Sequence, residues 1–338
     1  MKSLLRLLLK SQHQRNRSAP AQAEKGMTLI ELLIGTVMAF LILTPMLAFV
    51  VDMLNTDRRE QLKANTEQDI QAAVDFIAQD LNQAIYIYDN AGITAINSQL
   101  PTASGTPILV FWKRKQIRNS VSVDRTTIVT PLNCAPNTCN DTYTRSLVAY
   151  YQVRDSNPIW CQPQSSGNLC PIRIERHEMS EGIMKDSTQT TAAARYFNDT
   201  ETKDGQKHSG AFNLLFDFNR PTLNVTTGAN FPRSEVLVNY LDHSIANVPP
   251  PPNCKIGLGV VDPTGPGATP INAADLLITD GSTHSFYACV DTRRNLAKIT
   301  IRGNSLRRLQ TDANYDASRS AFFPTANVQV QGRGARGQ

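Results

Sequence analysis

From Leu32 to Val51 the chain has no charged side chain. As a helix rising about 1.5 Å per residue, such a run spans roughly 30 Å, the hydrocarbon thickness of a bilayer. Neither proline nor glycine occurs between Pro45 and Gly92, so nothing in that stretch breaks a helix. No cysteine precedes Cys134. There is no H-E-x-x-H, no G-x-S-x-G and no P-loop, and His177, His208, His243 and His284 fall singly through the second half. These absences argue against the common hydrolase and nucleotide-binding chemistries. The expectation is a protein that is not an enzyme and has no cofactor and no metal. No internal repeat is present, which argues against a solenoid.

Basic charge is also missing from most of the chain. Residues 1–26 hold Lys2, Arg6, Lys10, Arg15, Arg17 and Lys25 against Glu24, a net of +5, which is the net charge of the whole chain. The remainder is therefore neutral, and nucleic acid is disfavoured as a partner because phosphate contacts need basic side chains. The basic leader places the N-terminus on the cytoplasmic side and the large C-terminal part outside. Leu4–Lys10 reads either as a short basic amphipathic turn on the membrane or as part of an unstructured leader that is removed.

The stretch that is present and unusual is Lys25-Gly26-Met27-Thr28-Leu29-Ile30-Glu31, running straight into the apolar segment. A lone carboxylate at the edge of such a segment costs up to about 2.5–3.5 kcal/mol on insertion scales. A plain anchor gains nothing from it, whereas a helix that must find a partner can use it. The span has no A-x-A-like end suited to ordinary signal peptidase. Gly35 permits close helix approach and Pro45 invites a kink, both common in membrane helices for local reasons.

Gly26 followed by Met-Thr-Leu-Ile-Glu-Leu-Leu resembles the type III signal of type IV pilins and pseudopilins. The resemblance implies that prepilin peptidase cuts between Gly26 and Met27 and that the new N-terminus at Met27 is methylated. It makes Glu31 the fifth mature residue, the family's acidic position, which pairs with the terminal amine of a neighbouring subunit. Met27 stands where major pilins usually carry Phe, a place where pseudopilins tolerate other apolar residues.

Beyond a polar stretch from Asp52 to Asp69, Ile70, Val74, Ile77, Leu81, Ile85 and Tyr88 recur at spacings of three and four. That is one face of an amphipathic helix. The expectation is one long helix from about Thr28 to about Tyr88, stopped by the turn Asp89-Asn90-Ala91-Gly92. A sheet must then cover its apolar face. The strand candidates are Ile108–Trp112, Leu147–Val153, Ile172–Arg176, Phe212–Phe218, Val236–Leu241, Phe286–Val290 and Ala297–Ile301, short and rich in β-branched or aromatic residues. Ile172/Ile174 and Ile299/Ile301 alternate with charged or polar neighbours, which suits strands with one wet face. On that reading Arg173/Glu175 and Arg176/Glu178 are solvated charges. Long polar loops separate the strands, and Pro249–Pro252 is a stiff extended spacer.

The six cysteines all lie beyond the membrane segment, and an even count on the outward side suggests disulfides. Six cysteines allow fifteen pairings; joining sequence neighbours gives Cys134–Cys139, Cys161–Cys170 and Cys254–Cys289. The last closes the longest loop and should contribute about 3–4 kcal/mol by chain entropy. Zinc is the rival, but the spacings fit zinc ribbons poorly and no histidine clusters beside them. Asp275 and Asp280 near Gly281 read as a calcium loop or, in better accord with their spacing, as a bare turn.

Glu67-Gln-Asp-Ile-Gln-Ala-Ala-Val-Asp-Phe-Ile-Ala-Gln-Asp-Leu-Asn-Gln-Ala-Ile85 is similar to the larger minor pilins and pseudopilins of the PilW and GspJ kind. With Tyr86-Ile-Tyr-Asp89 added, it most resembles the pseudopilins of hormogonium polysaccharide secretion in filamentous cyanobacteria. The fold class expected is α+β, pilin-like, a long helix packed on an antiparallel β-sheet head. The parts are a cleaved leader 1–26, a transmembrane or filament-core helix 27–54, an amphipathic helix 55–90, a β-rich extracytoplasmic head 91–331 and a disordered tail 332–338. The resemblance implies a minor subunit of a type IV pilus-like or type II secretion-like apparatus, supporting polysaccharide secretion and gliding motility. Its partners would be prepilin peptidase, other pilins or pseudopilins, the inner membrane and a polysaccharide. The alternative is a minor pilin whose head is an adhesive or ligand-binding tip.

Overall fold

The computed structural model describes residues 28–100, 105–124, 129–165, 167–203, 206–209, 234–265 and 269–333. The chain divides into two compact units, Met1–Asp57 and Arg58–Gln338. One helix, α1 (Leu29–Asn82), contributes residues to both. In the first unit its apolar side chains are exposed all round.

In the second unit, α1 buries Thr66, Ile70, Ala73, Val74, Ile77, Asp80 and Leu81, a stripe at helical spacing. Two antiparallel sheets share one apolar core with that stripe. The first has the order β1 (Ala84–Ile87), β2 (Gly105–Ser122), β3 (Cys139–Val153), β4 (Ile172–Ser180), β5 (Glu235–Leu241). The second has β6 (Leu277–Thr279), β7 (Phe286–Asp291), β8 (Leu296–Arg302), β9 (Thr325–Gln331). Both are meanders, each strand pairing its neighbours in sequence. The sheets meet at a corner where Leu241 bridges to Gly303. Gly303 lies so close to α1 that a Cβ there would press on the side chains of Ile70 and Thr66, which would have to shift to admit it. The long helix and antiparallel sheets make the fold α+β.

Three expectations are corrected. The amphipathic helix does not reach residue 90. It ends at Asn82, and Ala84–Ile87 crosses to the edge of β2, pairing Tyr86 with Trp112 and Ile87 with Phe111. Ile85-Tyr86-Ile87 is β-branched and aromatic, and an open sheet edge satisfies its backbone better than solvent at a helix end. Asp89 is not a stop but a start: it caps α2 (Asn90–Ile96), accepting from the Gly92 amide at 2.8 Å. The head has two sheets, not one. β6 and β9 were missed because Leu277–Thr279 is only three residues long and Thr325–Gln331 is largely polar. The candidate Phe212–Phe218 lies outside the described residues, as do most of the tail and the leader.

The third correction concerns β4. Arg173, Glu175 and Arg176 are buried, at 5%, 8% and 8% exposure, where a wet face was expected. Asp80, on the buried stripe of α1, accepts from Lys113 Nζ of β2 and Arg176 Nε of β4, each at 2.8 Å, and from the Tyr150 hydroxyl of β3 at 2.7 Å. Glu178 completes the cluster against Lys113, Lys115 and Arg176. One carboxylate thus fastens the helix to three adjacent strands. Burial pushes the Asp80 carboxyl up, but Lys113 and Arg176 outweigh it and hold it below its usual range. The same balance, with Lys113, Lys115 and Arg176 opposing burial, holds Glu178 at about 2.

Removing one member of a buried ion cluster strands the others. Asp80→Ala is expected to cost about 3–5 kcal/mol in chemical denaturation of the full chain in detergent micelles, and a loss under about 1 kcal/mol would show that Glu178 alone neutralises the site. A carboxyl depressed on folding contributes stability that is present above its unfolded value, 4.5 for Glu178, and lost as pH falls toward about 2. The thermal midpoint should therefore drop across that window, and Glu178→Gln should flatten the drop; an unchanged slope would contradict this origin.

Candidate functional site

The residues with the strongest sequence signal sit at the start of α1. Gly26 and Met27 lie outside the described residues. Thr28 immediately precedes the helix, and the Glu31 amide donates to its Oγ1 at 3.3 Å and to its carbonyl at 3.0 Å. Thr28-x-x-Glu31 has the spacing of a capping box, a signal present in the sequence and passed over. An acid in the first turn also meets the positive end of the helix dipole, a contribution of about 0.3–1 kcal/mol. Glu31 thus has a local reason to be acidic in addition to any partner.

From Leu29 to Leu54 every large apolar side chain is exposed, from Val50 at 44% to Leu29 at 86%. A helix apolar on every side needs a non-aqueous surrounding: lipid, or other helices of its kind. Among the described residues α1 is the one helix long and apolar enough to cross a membrane. Pro45 lies within it without ending it. Thr36 and Thr44 return their hydroxyls to the carbonyls of Leu33 and Phe40, at 2.9 and 2.8 Å, so neither presents a free polar group.

The six cysteines form three disulfides: Cys134–Cys139 at the start of β3, Cys161–Cys170 between β3 and β4, and Cys254–Cys289 fastening the short helical turn at Cys254–Gly257 to β7. Their Cα separations are 5.5, 5.0 and 5.3 Å, and no cysteine is free. Such bridges belong to an oxidising compartment.

The other chemical groups do not converge. Among the described residues no three His, Cys, Asp or Glu side chains are placed to hold a metal ion. His177 packs edge-on to Tyr151, His208 stacks on Tyr196, His284 contacts Thr279 Oγ1, and each lies in its own surroundings. His243 is buried, and burial above all pulls its pKa down to about 4, so it is neutral at ordinary pH. Asp275 is exposed. Asp280 accepts from the side chains of Ser282, Thr283 and Gln152, at 2.8, 2.7 and 2.7 Å. Burial pushes Asp280 up, but the hydrogen bonds from Thr283 and Ser282 prevail and hold it at about 2. This is a braced turn.

Compared with known proteins, the chain matches no protein-family model, no curated protein and no solved structure.

The disulfides give a direct prediction. Alkylation of the native protein without reductant should modify no cysteine, and several modified thiols would contradict the bridged state. Replacing Cys254 and Cys289 together by serine should cost about 3–4 kcal/mol of stability, more than the same change at Cys134 and Cys139, because the loop released is longer.

Proposed function

We propose that this chain is a minor pseudopilin: a non-catalytic subunit that is held in the inner membrane by the first part of α1, with its head outside the cytoplasm, and is then built through that helix into a pilus-like fibre. One observation carries the reading. α1 is uncharged and exposed on every side over Leu32–Val51, and the same helix, without a break, has a buried face from Thr66 to Leu81. A helix that were only an anchor would need no acid at its edge and no continuation into a packed core. Three disulfides in the head agree with an extracytoplasmic location. The processing signal at Gly26 and Met27 and the acid at Glu31 supply the remainder by resemblance, and polysaccharide secretion and gliding motility are the processes attached to that resemblance.

In lipid, an unpaired carboxylate must protonate, snorkel or find a cation. Cleavage after Gly26 creates a cation at the same depth, the amine of Met27. Pairing Glu31 with that amine on a subunit displaced along the fibre would offset the desolvation of both charges. It would also fix axial register, which apolar side chains sliding past one another specify poorly.

Two sets of variants test this. Gly26→Val should leave the leader attached and block assembly while membrane insertion persists; a mature N-terminus other than Met27 would overturn the cleavage site. Glu31→Ala and Glu31→Gln should both be cleaved and membrane-resident yet poorly incorporated, judged by co-purification with partner pilins. Glutamine can still serve a capping box but has no charge. Normal incorporation of Glu31→Gln would show that the acid acts through the helix cap alone, and normal incorporation of both would show that the head recruits the subunit.

A further inference from the structure

A groove of about 610 Å³ opens along β5, in the size range of small-ligand sites. α1 forms one side with Asp69 and Phe76, and the segment after β3 forms the other with Ile159 and Trp160. Val236–Tyr240 are five consecutive lining residues. A strand face would offer only alternate ones, so the groove follows the strand's outer edge.

Three aromatic rings stand around it, and an arginine holds each of them. The guanidinium carbon of Arg308 is 4.5 Å from the centre of the Tyr240 ring, that of Arg176 is 5.7 Å from Phe76, and that of Arg173 is 5.9 Å from Trp160. Each arginine is itself ion-paired: Arg308 with Asp69, Arg176 with Asp80 and Arg173 with Asp155. The rings are therefore fixed before anything binds, which lowers the ordering cost of binding. Phe76 remains 41% exposed and Ile159 72%, apolar surface left open among the described residues. Tyr240 has φ +62°, a left-handed conformation costing about 1–2 kcal/mol for a residue other than glycine. The Asn304 amide, donating to the Tyr240 carbonyl at 2.8 Å, helps to hold it there. Strain of this kind collects at ligand sites.

The polar groups of the wall are of both kinds. Asn239 gives its Nδ2 to the Trp160 carbonyl at 3.0 Å, while its Oδ1 accepts from none of the described residues. Arg308 Nε donates to none of the described residues. The two charges, Asp69 and Arg308, neutralise each other. We propose that this groove binds a neutral saccharide. Flat rings take the C–H faces of a pyranose, hydroxyls both donate and accept, and a site without net charge selects neither anion nor cation. A peptide strand added to β5 fits less well. The register of β5 against β4 shifts twice, and its last residues are already joined to Gly303 and Asn304, so no straight ladder is free. The groove goes beyond the assembly reading, since neither Glu31 nor the exposed part of α1 contributes to it.

The test uses the full chain in phospholipid nanodiscs, free of sugar-based detergent. Cellohexaose, maltohexaose and laminarihexaose are titrated and read by saturation-transfer NMR, with an oligogalacturonate and an extended Val/Thr peptide beside them. At least one neutral oligosaccharide should bind saturably, and Trp160→Ala and Phe76→Ser should each weaken it by about tenfold or more. Emission from Trp112, which is 1% exposed, and helix content should stay unchanged in the variants, showing that they fold. Binding of none of the three, preference for the acidic oligomer or the peptide, or wild-type binding by folded variants would overturn the proposal. Weakened saccharide binding with normal fibre assembly in the groove variants would separate this site from the stem.

Discussion

Asp80 is the point on which the head depends. A carboxylate on the apolar stripe of a helix is costly unless it is paired, and here the partners come from three adjacent strands: Lys113, Tyr150 and Arg176. Hydrophobic contacts from Ile70, Val74, Ile77 and Leu81 hold the helix on the sheets but leave its rotation and slide loosely specified. The charged hydrogen bonds have direction and length, so one placement of the helix satisfies them. The Arg176 that pairs with Asp80 also lies over Phe76, so the buried cluster reaches to the groove beside β5.

The chain is built for two surroundings. Leu32–Val51 carries no charged side chain, and its threonines return their hydroxyls to the helix backbone. The second unit is closed by three disulfides and by buried ion pairs that need partners supplied by the fold. Arg307 shows how far this goes: fully buried, it donates to the carbonyls of Leu169, Gln162 and Pro163 and to Ser165 Oγ, and thereby holds the Cys161–Cys170 loop. That loop follows directly on Ile159 and Trp160. Its neighbour Arg308 lies across the Tyr240 ring at the groove.

The sequence by itself determined what depends on local composition. The uncharged run, the stretch free of glycine and proline, and the three-and-four spacing from Ile70 to Leu81 are properties of neighbours along the chain, and they dictate a long helix with an apolar first part and a striped second part. The strands at Ile108–Trp112, Leu147–Val153, Phe286–Val290 and Ala297–Ile301 were legible for the same reason. Thr28 and Glu31 were legible as a cap too, although only the geometry drew attention to it. Tertiary structure decided the rest. Ile85 to Tyr88 continued the helical spacing, yet residues 84–87 became a strand because the edge of β2 offered backbone partners that no local pattern reveals. Arg173 and Glu175 alternated with isoleucine as a wet strand face would, yet they and Arg176 are buried, because Asp155 and Asp80 arrive from other elements as counter-charges to the two arginines and Arg173 in turn pairs with Glu175. Charge tells where a side chain prefers to be when alone; only the assembled neighbours tell whether it is alone.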